Sequence, residues 1–289
     1  MNRLFKTGLT AIAVAVLLLP GCRKDPSFDL DTHIGICATA HAEAAAAAGL
    51  DYLEANVFKF LMPEQSDEDF AANAELAKTM VPPIYSANGF YPGDIRLTGP
   101  DAETERAIQY ANTAIRRAAQ IGMKVLVLGS GRARAIPEGF DRAEAEAQFL
   151  SLLKGMAPAA EQYDVLIAIE PLQLSECNFI NLVSEGAEIA RKTGSSHICV
   201  LADFYHMARM NEGPEGIFAA ADKLVHCHIA ECRERTAPGV DGDDFTPYFR
   251  ALKEIGYSGR ISFECRWSDV SAQLPEAVRV VKEQIESVK

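Results

Sequence analysis

Four stretches decide the fold: VLIAIE (165–170), HICVLAD (197–203), LVHCH (224–228) and RISFE (260–264). Each is an apolar, strand-type run ending on a carboxylate or an imidazole, namely Glu170, Asp203, His228 and Glu264. Each is followed by a polar loop and a helical pattern. Side chains alternate along a strand. An inward Glu170 therefore puts Ala168 and Leu166 inward and turns Ile169, Ile167 and Val165 toward the helices. The same parity sends Asp203, His228 and Glu264 inward. In a barrel of parallel strands the C-terminal strand ends ring one mouth, so four such ends converge on a single point. A doubly wound open sheet does not gather four successive ends as naturally. Any one of the four alone reads as a helix cap or a buried ion-pair member. Three carboxylates together repel one another unless a cation neutralises them. Oxygen and imidazole donors in that mixture suit a divalent ion.

Upstream, strands are expected near 33–39, 51–57, 83–87 and 124–128, each followed by a helical pattern. The helices fall near 67–79, 102–121, 142–163, 182–193, 214–223, 246–255 and 274–288, after an alanine-rich one ending at Gly49. In the 102–121 segment Ile108, Ala111, Ile115, Ala118 and Ala119 share one face. Eight alternating units predict parallel pairing with right-handed crossovers, an α/β protein of the (β/α)8 TIM barrel type. Such a barrel takes ~250 residues, which leaves no room for a second domain in a chain of 289. The barrel is assigned to 32–289. Its longest loops, 88–100 and 231–244, are expected at the mouth, where loops cover substrates.

Residues 1–21 are a different kind of sequence. Arg3 and Lys6 precede an apolar run from Leu9 to Leu19 that ends at Pro20, Gly21 and Cys22. A basic start, a short apolar core and a small-residue end describe an export signal. The run falls short of the ~20 residues of a membrane span. Its end resembles a bacterial lipobox, with Cys22 as the lipidated residue and 22–31 as a tether. The expected location is outside the bacterial cytoplasm, on a membrane facing the periplasm or the cell surface, with the lipid as the only membrane contact. The other six of the seven cysteines show no CxxC or zinc-finger spacing and read as free core thiols. A net charge of -12 opposes phosphate backbones and makes nucleic acid a poor partner. The glycine-rich GSGRAR (129–134) lacks the Lys-Ser/Thr ending of a phosphate loop. It reads as a tight turn, with Arg132 or Arg134 facing substrate or a carboxylate.

Four motifs carry a resemblance: EPL (170–172), DFYH (203–206), HIAE (228–231) and FE (263–264). Over 33–289 the chain resembles the ketose 3-epimerases of the D-tagatose and D-psicose type, within the xylose isomerase-like TIM barrel superfamily. The resemblance implies one divalent cation, Mn²⁺ first, with Mg²⁺, Co²⁺ or Zn²⁺ as alternatives, held by Glu170, Asp203, His228 and Glu264. It implies a free ketose or keto-sugar as substrate, an enediolate intermediate, and Glu170 and Glu264 as the acid/base pair. His206 and Glu176 would touch substrate oxygens. After the seventh strand CRER (232–235) carries one residue more than the family pattern, so Arg233 and Arg235 are both candidates for the substrate-holding arginine. A homodimer or homotetramer is implied as well. His226, one inward position below His228, is read as core or support for the site. Glu54 ends the second strand and could assist the site but is not counted among its residues, and Trp267 either stacks on a sugar or packs.

The four ligands do not separate epimerisation or isomerisation from keto-sugar elimination, hydration or dehydration, which all begin with proton removal. A carbohydrate-binding lipoprotein on a relic barrel predicts lost ligands, yet all four are present. Endonuclease IV-type DNA repair enzymes share the barrel but need histidines on strands three and four. There the chain reads PIYS (83–86) and LGSG (128–131).

Overall fold

The computed structural model describes residues 28–289; the expected leader at 1–21, Cys22 and the first part of the expected tether lie outside the described residues. Eight strands close a barrel in chain order: β1 (Ile34–Cys37), β2 (Tyr52–Asn56), β3 (Ile84–Asn88), β4 (Val125–Leu128), β5 (Leu166–Ile169), β6 (Ile198–Asp203), β7 (Leu224–Ile229) and β8 (Arg260–Phe263). Every neighbouring pair is parallel, including β8 with β1. The (β/α)8 expectation is met.

The helices outside are α1 (Ala42–Ala47), α2 (Asp67–Thr79), α3 (Thr104–Gln120), α4 (Gly131–Arg134), α5 (Arg142–Tyr163), α6 (Val183–Thr193), α7 (Phe204–Arg209), α8 (Glu215–Ala219), α9 (Thr246–Glu254) and α10 (Val270–Glu286). Two departures from the expected pattern bear on the site. The unit after β6 holds two short helices rather than one at 214–223. Asp203 starts α7 at once, its carboxylate accepting the Tyr205 N–H at 2.8 Å. Asn211, at φ 55°, then ends that run before Pro214 begins the next. The second departure is the single turn α4, which follows β4 directly.

Helix α3 shows why these segments fold where they do. Ala107, Ala111, Ala114, Ile115 and Ala118 are buried along one stripe against the barrel. Inside the barrel Val125, Val127, Ala168 and Leu201 form a small apolar plug, with Tyr85, Leu166 and Val225 against it. Ala168 and Leu166 lie inward, as the strand parity requires. All six described cysteines are free thiols; Cys177, Cys199 and Cys227 are buried, while Cys37, Cys232 and Cys265 are half-buried rather than core.

Candidate metal centre and active site

The strand ends deliver the four expected side chains to one place. Glu170 follows β5, Asp203 ends β6, His228 lies in β7 and Glu264 follows β8. One donor atom from each lies within 4.8 Å of all the others. His228 Nδ1 is 3.2 Å from Glu170 Oε1 and 3.0 Å from Glu264 Oε2. Glu170, Asp203 and His228 are buried, and the Glu264 side chain is 23 % exposed. Three carboxylates crowd one imidazole and one guanidinium, and the donors are oxygen with one imidazole nitrogen. That set fits a divalent cation of the Mn²⁺, Mg²⁺, Co²⁺ or Zn²⁺ kind.

The two glutamates sit in unequal fields. Burial raises the carboxyl pKa of Glu170, and the neighbouring Glu264 charge pushes the same way. Burial also works against ionisation of Glu264, but His228 and Arg235 beside it bring its carboxyl down to about 2. Unequal paired carboxyls are common where one site must both take and give a proton.

Room for Glu170 comes from a glycine. A Cβ on Gly129 would stand 2.1 Å from Glu170 Oε2, so any larger residue displaces the carboxylate. The next residue, Ser130, is left-handed at φ 44° and starts α4. That turn sends Arg134 under the end of β5, where it is fully buried. Its Nη2 donates to the Glu170 carbonyl at 2.7 Å and to the Ile180 carbonyl at 3.4 Å. The expectation that Arg134 faces substrate or a carboxylate is corrected: it holds backbone, and so fixes where Glu170 leaves the strand. Arg132 is exposed, its backbone carbonyl accepting from Arg96.

Of the two candidate arginines, the structure brings in Arg235. Its Nη2 donates to Glu264 Oε2 and, at 3.1 Å, to Asp203 Oδ2, and its Nε donates to the Glu264 carbonyl at 2.9 Å. The guanidinium lies 4.9 Å above the Tyr205 ring. Arg233 points away: its side chain is 76 % exposed and pairs with Asp241. The difference is set by the loop. Glu234 and Arg235 both adopt left-handed backbone, at φ 59° and 58°, which reverses the chain toward the mouth. Buried Glu231 holds the loop closed, accepting from the N–H groups of Gly239, Asp241, Gly242 and Asp243 and from the Thr236 hydroxyl.

His206 lies on α7, buried, with Nδ1 accepting the Gln173 N–H at 3.3 Å. Its Nε2 has no hydrogen-bond partner and stands 3.5 Å from Asp203 Oδ2 and 4.0 Å from Glu176 Oε2. The structure therefore brings both His206 and Glu176 to the cluster. Gln173 links them, donating to Glu176 Oε1 at 2.8 Å. Trp267 packs edge-on against Phe263, ring centroids 6.1 Å apart.

Asn88 escaped the reading of the sequence, and Glu54 enters that reading only as able to assist the site. Asn88, at the end of β3, donates to Glu264 Oε1 at 2.8 Å. Glu54 on β2 lies directly behind His228, with Oε1 2.8 Å from His228 Nε2. The parity that placed Glu170 inward was the available signal for Glu54. His226 is buried with Nε2 2.8 Å from Glu54 Oε2.

Known proteins place this architecture. An L-ribulose 3-epimerase of Mesorhizobium japonicum is 27% identical over 228 residues, 77% of this chain and 73% of its own. A D-psicose 3-epimerase of Enterocloster bolteae is 28% identical over 147 residues, 49% of this chain and 48% of its own, so the match spans about half the length of that relative. The crystal structure of D-psicose 3-epimerase with D-tagatose from Clostridium cellulolyticum H10 superposes with a TM-score of 0.75 at 20% identity, covering 89% of this chain and 99% of that one. The family model described as xylose isomerase-like TIM barrel matches residues 42–289. With eight parallel strands closed in order and the carboxylate–histidine cluster at their C-terminal ends, the chain belongs to the xylose isomerase-like TIM barrel family.

Proposed function

We propose that this protein is a sugar isomerase or epimerase acting beside the carbonyl of a free ketose or keto-sugar, with Glu170 and Glu264 as the proton-transfer pair. The observation that carries the reading is the cluster itself: two glutamates, from β5 and β8, meet Asp203 and His228 within 4.8 Å. Three strand positions separate β5 from β8 around the ring, so the two carboxylates approach from different sides. A carbon held between them loses its proton to one and receives a proton from the other, which inverts it. A divalent cation held by Glu170, Asp203, His228 and Glu264, Mn²⁺ first, would supply Lewis-acid polarisation of the carbonyl and offset the charge that develops as the proton leaves. His206 Nε2, unpartnered and aimed at the cluster, offers a hydrogen bond to a sugar oxygen. Arg235 offers a second and keeps Glu264 ionised. The epimerase names of the similar proteins support the same class.

The test is solvent-deuterium exchange. The Mn²⁺-loaded protein is mixed in D₂O with free ketoses, aldoses and keto-glycosides, and NMR follows C–H washout and products, with Glu170→Gln and Glu264→Gln as controls. Deuterium entering next to the carbonyl, with an inverted or isomerised product and loss in both controls, is the expected result. Loss of water or of a leaving group instead would move the protein to the lyases. Tight Mn²⁺ binding without exchange in any sugar would overturn the enzymatic reading.

A further inference from the structure

We infer that Glu54 is the positioning residue of the cation site: it fixes the tautomer and orientation in which His228 offers Nδ1 to a metal ion. The inference rests on the cation site proposed above. Both ring nitrogens of His228 are committed. Nδ1 faces Glu170 Oε1 and Glu264 Oε2, while Nε2 stands 2.8 Å from Glu54 Oε1. An ionised carboxylate only accepts hydrogen bonds, so Glu54 keeps a proton on Nε2, and Nδ1, which faces the Glu170 and Glu264 carboxylates, is the nitrogen whose proton a cation would displace. Without that partner the imidazole is free to place its proton on Nδ1, and in that tautomer it has no lone pair to offer the cluster.

Glu54 is itself built into place. Its second oxygen, Oε2, receives Ser86 Oγ at 2.7 Å, Ser262 Oγ at 2.8 Å and His226 Nε2 at 2.8 Å. The Ser262 hydroxyl is tied in turn to the Tyr52 hydroxyl at 2.8 Å. These partners come from β2, β3, β7 and β8, and all are at most 1 % exposed. Burying an ionised carboxylate is costly unless its lone pairs are filled, and here they are. A purely structural acid would be satisfied by Oε2 and its three donors. The separate bond from Oε1 reaches the one side chain that also faces the ligand cluster. The second-strand glutamate thus acts on the cation through His228 and touches neither cation nor substrate.

The test compares wild type with Glu54→Gln by calorimetric titration with Mn²⁺ and Zn²⁺, alongside thermal melting of the metal-free protein. Nitrogen-15 NMR of histidine-labelled, metal-free protein, at a pH where the ring is neutral, reads the tautomer. We expect cation affinity to fall about 10- to 100-fold, with the Nε2–H tautomer of His228 dominant in wild type and lost in the variant. Should Glu54→Gln fail to fold, Glu54→Asp, which withdraws the carboxylate from Nε2, takes its place with the same expectation. Unchanged affinity, or an unchanged tautomer, in a folded variant overturns the positioning role. Wild-type protein that takes up neither cation overturns the cation site and the inference with it. Only the wild-type arm reports that failure, so the two are distinguished.

Discussion

Gly129 shows how little the site tolerates at the level of single atoms. The added methyl of Gly129→Ala meets only the far end of the Glu170 side chain, Oε2 at 2.1 Å. The carboxylate can swing away, so the fold survives while the ligand moves. We expect a melting temperature within a few degrees of wild type and a loss of cation affinity on the order of tenfold, read by calorimetry. Arg235 tests geometry against charge. Lysine keeps the charge but not the planar fork that reaches Asp203, the Glu264 carboxylate and the Glu264 carbonyl together. Arg235→Lys is expected to cut kcat/KM by about 10- to 100-fold, about 1.4 kcal/mol per factor of ten, with the far-ultraviolet circular dichroism unchanged. The two supporting residues that no motif singled out share one property. Asn88 acts on Glu264 across 176 positions and Glu54 on His228 across 174, and no local pattern encodes such a pair.

Among the elements, the β7 loop and helix α6 each depend on one buried glutamate. Glu231 gathers the backbone N–H groups of the 239–243 segment, and that grip keeps Arg235 at the mouth. Glu231→Gln exchanges acceptor capacity for donors that these amides cannot use. Hydrogen–deuterium exchange is expected to show faster exchange across 233–243, with the barrel strands unchanged. At α6, both carboxylate oxygens of Glu212 accept the Val183 N–H, at 3.0 and 3.1 Å. Burial lifts the Glu212 carboxyl to about 7, against the pull of the Val183 and Ser184 amides. The folded protein thus holds this proton more tightly than the unfolded chain does. The associated stability is fully present below the ordinary carboxylate range and is lost as pH rises through about 7. Wild type should therefore lose a few degrees of melting temperature, relative to Glu212→Gln, between pH 5 and pH 8. A parallel pair of pH curves would contradict this. The two-helix insertion after β6 was legible only in part. The Asp203 cap is local, but whether a helix continues past Asn211 depends on how Glu212 docks on α6.

For the molecule as a whole, a cation held by Glu170, Asp203, His228 and Glu264 would be linked to barrel stability, because these side chains come from four different β/α units. A ligand at 100 times its dissociation constant adds about 2.7 kcal/mol to the folded state. We expect Mn²⁺ to raise the melting temperature by about 5–10 °C, EDTA to reverse the rise, and Asp203→Asn to abolish it. Asparagine retains an oxygen to cap α7, so a lost shift in that variant reports lost coordination rather than an unmade helix. Membrane attachment is a separate proposal carried by the leader sequence. Expressed from the full chain in a bacterial host, the protein should incorporate labelled palmitate and sediment with membranes, and Cys22→Ala should abolish the labelling.

What the sequence determined by itself was everything that repeats locally. The alternation of apolar runs and helical faces specified eight units, and the parity of each run specified which side chains enter the barrel. A side chain that terminates its own strand is therefore readable: Glu170, Asp203, His228 and Glu264 were named from strand ends, and the structure gathers one donor atom from each within 4.8 Å. Tertiary structure decided what surrounds them. Arg235 rather than Arg233 reaches the cluster because two consecutive left-handed residues reverse the loop. Arg134 turns beneath β5 because Ser130 bends the chain first. Glu54 stands behind His228 because closure of the ring sets β2 across the barrel from β7. Strand periodicity is a property of neighbouring residues, whereas these contacts exist only once the barrel has closed.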